Sequence, residues 1–216
     1  LNAPTSQIRH HLKSDSILGE TVAKNLSQLL PVYIDPFEGT VRAIVGQFIS
    51  VKAARTIVAR LIKAFGECLP RVVGRVSHLF PNAEVISRLR TEDLKSLGLT
   101  SAKSSSIIGI AKAICSGDMD FTQLAAVDSK SADLALQKLP GVGPWTASII
   151  RMEVLHDTNA FPAGDLGVVK AAQNLTKKRK ISKELLAKFH KSWSPWGAYA
   201  TLYLWKHLES MEEQDV

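Results

Sequence analysis

The string Leu139-Pro-Gly-Val-Gly-Pro-Trp-Thr-Ala147 holds residues able to do chemistry together. Gly141 and Gly143 permit backbone angles closed to other residues and let a phosphate oxygen approach the main chain. Pro144 suits the first position of a following helix, whose unpaired N–H groups and positive dipole end would point at the same oxygen. Such a clamp grips a nucleic-acid backbone without reading its sequence, and Gly141, Val142, Gly143 and Thr146 are the candidate contacts. As a bare Gly-x-Gly the string equally suits an ordinary helix–helix turn. Asp165, in Phe161-Pro-Ala-Gly-Asp-Leu-Gly167, lies twenty residues beyond Trp145 and by itself reads as the N-cap of a helix beginning at Leu166. The six histidines show no His-x-x-x-His or His-Glu-x-x-His spacing, so no metal catalysis is expected. Cys68 and Cys115 are too few for a disulfide framework or a four-cysteine zinc or iron–sulfur site. They read as buried free thiols in helical, apolar surroundings, which fits a reducing, intracellular compartment.

The elements that must position these residues are helical almost throughout. Asp35-Pro36 reads as an N-cap and first helical residue. Ala54, Ile57, Val58, Leu61, Ile62 and Phe65 recur at helical spacing until Gly66. Further helices are expected at Thr91 to Gly98, Ser101 to Cys115, Asp128 to Leu139, Pro144 to about Leu155, Leu166 to Leu175, Ser182 to Lys191 and Pro195 to Glu209. Few segments alternate with period two, so the expected class is all-α. With 216 residues, 45% of them hydrophobic, the chain can bury a sizeable core. No apolar run approaches ~18 residues, so no membrane span is expected. Residues 1–13 lack the apolar core of a signal peptide. Two lobes are expected: residues 35–150, including a helix-hairpin-helix at 134–150, and residues 1–34 joined to 151–216.

The net charge of +7 is local. Between Leu166 and Lys191 stand Lys170, Lys177, Lys178, Arg179, Lys180, Lys183, Lys188 and Lys191 against Glu184 alone, which leaves the remainder balanced. A polyanion binder needs such a patch, although charge alone favours a solvated helical face.

The hairpin string resembles the helix-hairpin-helix motif of the HhH-GPD superfamily of base-excision DNA glycosylases. Asp165 in its Gly/Pro-rich loop resembles that superfamily's catalytic aspartate. Val41-Arg-Ala-Ile-Val-Gly-Gln-Phe-Ile-Ser-Val51 resembles the segment that probes DNA, and Gly98-Leu with Lys103 resembles a helix junction of the same fold. Trp193-Ser-Pro-Trp-Gly-Ala-Tyr-Ala-Thr-Leu-Tyr-Leu-Trp205 resembles the final helix of the AlkA-like, 3-methyladenine DNA glycosylase II branch. The likeness spans roughly residues 35–208. It implies a two-lobed helical glycosylase core without the N-terminal β domain of longer AlkA-like proteins.

The resemblance also implies roles. Bifunctional relatives carry a Schiff-base lysine where this chain has Trp145, which implies a monofunctional enzyme that uses water. Asp165 becomes the catalytic carboxylate, stabilising the cationic sugar as the glycosidic bond breaks. Its capping role is compatible with this one, because both use the charged carboxylate. Phe48 is the candidate wedge and Gln47 a candidate contact to the opposite strand, with core packing the competing reading for Phe48 and Ile49 an alternative insertion residue. Trp145 and Trp205 match pocket-lining positions, and Ile149 and Leu166 stand where further aromatics are expected. Trp193, Trp196 and at least one of Tyr199 and Tyr203 read as core.

No cofactor is required and no iron–sulfur cluster is expected. The family implies a monovalent cation, Na+ or K+, held by the carbonyls of Gln137, Leu139 and Val142. The implied function is excision of cationic alkylated purines such as 3-methyladenine from double-stranded DNA, by a monomer acting in the cytoplasm or nucleoid of a bacterium or the nucleus of a eukaryote. The alternative is a non-catalytic helix-hairpin-helix protein that binds damaged or bent DNA.

Overall fold

The computed structural model describes residues 4–25, 28–74 and 76–212. The chain divides into two compact units, one made of residues 1–32 and 151–216, the other of residues 33–150.

The contiguous unit begins with α3 (Pro36–Gly46) and α4 (Val51–Phe65), after α1 (Thr5–Lys13) and α2 (Gly19–Lys24) of the other unit. Asp35 caps α3 by accepting from the Phe37 N–H, and Ser50 caps α4 by accepting from the Ala53 N–H. After α4 the chain forms an antiparallel ribbon, β1 (Cys68–Val73) and β2 (Val76–His78). This small sheet qualifies the all-α expectation. Its residues are mostly exposed, so no alternating apolar face marks it in the sequence. Both cysteines are exposed and Cys68 lies in β1, which corrects the expectation of buried thiols in helices.

The short helices α5 (Ala83–Ser87) and α6 (Thr91–Lys95) precede α7 (Ser101–Ser116). Thr100 caps α7 at its start, and Gly117 ends it in the left-handed conformation. Ile107, Ile110 and Ala111 of α7 are fully buried, as are Val41 and Val45 of α3, Leu61 of α4 and Ile86 of α5. Then come α8 (Phe121–Ala126), α9 (Ser129–Leu136) and α10 (Pro144–Glu153). The unit boundary falls within α10, after Ile150.

The discontinuous unit packs α1 and α2 with α11 (Leu166–Thr176), α12 (Lys183–Trp193) and α13 (Gly197–Glu212). Its core joins Ile8, Leu12, Leu18 and Val22 to Val168, Ala171 and Ala172 of α11, Leu186 and Trp193 of α12, and Tyr203 and Leu204 of α13. Trp193 and Tyr203 are almost fully buried, Tyr199 is buried, and Trp196 packs against the same cluster, so these aromatics are structural.

Candidate carboxylate site and nucleic-acid interface

In the discontinuous unit, the loop before α11 ends on Asp165, whose φ of −70° and ψ of 129° are extended, as an N-cap requires. Its Oδ1 accepts from the Val168 N–H at 2.9 Å and from the indole N–H of Trp205 on α13, also at 2.9 Å. One oxygen thus ties the carboxylate to two helices. A Cβ at Gly167 would stand 3.0 Å from that oxygen and 3.1 Å from Trp205 Cδ1, so residue 167 must be small for the pair to meet. The sequence reading passed over Gly167, although its place two residues after the cap is a signal for close approach.

The loop itself is braced from below. The Phe161 ring stacks on His190 at 4.8 Å between centroids, and His190 Nε2 meets the Asn159 carbonyl oxygen at 2.9 Å. Burial holds the His190 pKa below its usual value, so at neutral pH the uncharged ring donates to that carbonyl. Arg151 and Asp157 form an ion pair with both side chains mostly buried, and the Asp157 carboxylate also accepts from the Asn159 N–H. Leu166, in contrast, is 73% exposed.

In the contiguous unit, the hairpin between α9 and α10 turns at Gly141, which has φ +73°. A Cβ there would lie 2.1 Å from Ser106 Oγ, so both the conformation and the space demand glycine. Gly143 faces open space: a Cβ added to it meets nothing within 4 Å. The Val142 N–H is committed to the Leu139 carbonyl at 3.2 Å and its side chain is buried, which leaves it a structural member of the clamp. Among the described residues no acceptor meets the N–H groups of Gly143 and Thr146, which stand at the N-terminal end of α10. Trp145, half-buried, occupies the second position of α10, and Ile149 is buried one turn on.

Facing the hairpin is the turn between α3 and α4. Gln47 Nε2 donates to the Gly141 carbonyl at 2.9 Å and to Thr146 Oγ1 at 2.8 Å. The structure therefore ties this amide nitrogen to the hairpin. Phe48 has φ +57° and is fully exposed, which overturns the core reading for that ring. Ile49 is 38% exposed.

The basic residues of α11 and the loop after it surround an open cleft of about 560 Å³. Lys170, Lys177, Lys178 and Arg179 line it over a floor of Leu208 and Met211, and all four cations are exposed. Among the described residues no three His, Cys, Asp or Glu side chains cluster as metal ligands, and no helix is long and apolar enough to cross a membrane.

Residues 41–195 match the model of the HhH-GPD superfamily base excision DNA repair protein. The chain is 35% identical over 209 residues to a Mycobacterium tuberculosis protein named "Probable bifunctional transcriptional activator/DNA repair enzyme AlkA", covering 97% of this chain and 41% of that one. It is 34% identical over 175 residues to a DNA-3-methyladenine glycosylase of Bacillus subtilis, covering 81% and 57% of the respective chains. A DNA-3-methyladenine glycosidase structure from Bacillus halodurans superposes with a TM-score of 0.74 at 27% identity, covering 98% of this chain and 92% of that one. The chain thus spans less than two thirds of the length of the two curated relatives. With the match extending from the middle of α3 through the exposed turn, the hairpin and Asp165 to just past the end of α12, the chain belongs to the HhH-GPD superfamily of base excision DNA repair proteins.

Proposed function

We propose that this protein is a monofunctional DNA glycosylase that excises cationic alkylated purines, 3-methyladenine foremost, from duplex DNA. The observation that carries the reading is Asp165, fixed by the Val168 and Trp205 N–H groups, in a chain whose hairpin bears Trp145 where a Schiff-base enzyme needs an amine. The names of the curated relatives support it.

Gly143 and Thr146 offer main-chain N–H groups to a phosphate. The target base leaves the stack, and Phe48 fills the space it vacates. As the bond from the sugar to the base breaks, its electron pair goes to the base, and positive charge grows on the sugar. Asp165 stabilises that charge and orients the water whose oxygen joins the sugar carbon. An alkylated purine already carries positive charge, so it departs without a strong acid. Trp145 and Trp205 add ~0.5–2 kcal/mol each of attraction to such a ring, only about one or two powers of ten, so discrimination resides chiefly in bond breaking.

A monovalent cation fits the hairpin. Among the described residues the Gln137 and Val142 carbonyls accept no hydrogen bond, and that of Leu139 accepts one from Val142. Bound there, the ion would supply positive charge toward a phosphate.

The test is single-turnover release from matched duplexes, each with one lesion. The reading expects 3-methyladenine to leave far faster than hypoxanthine or 8-oxoguanine, with a weaker contrast in binding. Equal removal of a neutral oxidised base sinks the cation argument. Tight binding with no release of any base would instead establish a non-catalytic reader of damaged DNA.

A further inference from the structure

The ammonium of Lys103 lies against the end of α3. Its Nζ donates to the Val45 carbonyl at 2.9 Å and to the Gln47 carbonyl at 2.6 Å. Those oxygens belong to the last turn and cap of α3, the negative end of the helix dipole, so a cation there is favoured. Among the described residues no carboxylate pairs with Lys103, and burial lowers its pKa. A half-buried lysine offset only by carbonyls costs desolvation, which raises the question of what it holds in place.

It holds Phe48. The residue beside Gln47 has φ +57°, a conformation that bulky side chains adopt only where their surroundings impose it. Lys103 fixes the carbonyl just before it, and the Gln47 amide fixes the same residue to Gly141 and Thr146. The hairpin rests on the same helix as Lys103: Ser106 lies under Gly141, and a Cβ at Gly109 would stand 3.2 Å from Pro140 Cγ. Lys103, Ser106 and Gly109 follow at three-residue intervals, so one stripe of α7 carries both the turn and the hairpin.

We propose that Lys103 and Gln47 are positioning residues that lock the Phe48 turn to the phosphate-gripping hairpin, so that hairpin contact with the backbone sets how far the ring enters the duplex. The inference rests on the glycosylase reading above. The hairpin alone grips any phosphate and the ring alone is fully exposed; joined through Gln47, they act as a caliper of fixed opening.

The experiment is a double-mutant cycle read by the fluorescence of 2-aminopurine next to the lesion, which reports base extrusion before any bond breaks. Lys103→Met, Phe48→Ala and the pair are compared in stopped flow, with undamaged-duplex affinity measured alongside. Lys103→Met and Phe48→Ala each slow extrusion about tenfold or more, while the double variant is no slower than Phe48→Ala alone and the affinity of Lys103→Met stays within about twofold. Equal slowing by Lys103→Met in both backgrounds overturns the proposal, as does an unchanged rate. Should Lys103→Met fail to fold, Gln47→Ala carries the same cycle with the same expected outcomes. Extrusion by the wild type without base release overturns only the glycosylase reading, whereas no extrusion at all overturns both.

Discussion

The indole N–H of Trp205 donates to Asp165 Oδ1 at 2.9 Å across forty residues of sequence. Trp205 is therefore a ligand of the carboxylate as well as an aromatic face. Trp205→Phe keeps the face and removes the donor, and a hydrogen bond to a charged group contributes about 1.5–3 kcal/mol. Excision should fall roughly tenfold to a hundredfold, with little change in affinity for lesion-containing duplex. Single-turnover kinetics set beside a binding titration check this; a loss confined to binding would return Trp205 to the pocket wall.

Asp165→Asn keeps a residue that caps α11 well and removes the charge. Base release should drop by at least ~100-fold, while thermal stability and DNA binding stay close to wild type. Near-normal release from the variant would reduce Asp165 to a cap.

With Trp145 on the hairpin helix, borohydride should trap no covalent complex with lesion DNA. Strand nicking should likewise wait for added alkali. A stable adduct on a denaturing gel would identify an amine nucleophile elsewhere in the chain.

The two hairpin glycines should fail in different ways. Gly141→Ala meets Ser106 and a positive φ, so stability falls by at least ~2 kcal/mol. Gly143→Asp meets open space, so the protein folds with stability within about 0.5 kcal/mol of wild type. Its charge then weakens binding to damaged and undamaged duplexes alike and flattens the salt dependence. Denaturation curves and salt titrations separate the two outcomes.

Burial pushes the Glu153 carboxyl up to about 7 from an ordinary 4.5. A folded-state value above the unfolded one means that the folded chain holds an extra proton between them. Its stabilising contribution is complete below pH 4.5 and is lost as pH rises through 7. Glu153→Gln should then be stabilising at pH 8, by at most roughly 3–4 kcal/mol, and neutral near pH 4. His190, lowered by burial, slopes the other way, so each variant is compared with wild type at the same pH. Equal shifts in melting temperature at both pH values would remove Glu153 from the account.

Much of the helical frame is legible because its ends carry chemistry that repeats locally. Ser50 and Gly66 bound α4, and Thr100 and Gly117 bound α7, as their residue types suggest. Elements without a buried stripe escaped: α8 has no buried residue and β1 is almost wholly exposed. The hairpin and Asp165 are legible as strings, but their partners are not. Gln47 meets Gly141 from 94 residues away and Trp205 meets Asp165 from forty, and no local period encodes either meeting. The exposure of Phe48 is of the same kind, since an aromatic residue at the end of an apolar helix reads as core until the left-handed turn is seen.

The discontinuous unit has a consequence for synthesis. Residues 33–150 can fold as soon as they leave the ribosome, because every element of that unit is then present. Helices α1 and α2 leave the ribosome before that unit, yet their partners α11, α12 and α13 leave only after it. Until then Ile8, Leu12, Leu18 and Val22 lack the core partners they have in the folded unit. Closing the intervening segment as a disordered loop would cost roughly 4 kcal/mol of chain entropy, and prior folding of residues 33–150 removes most of that search. The yield of active protein should therefore depend on translation slowing little before residue 151, with stalled chains captured through α1 and α2.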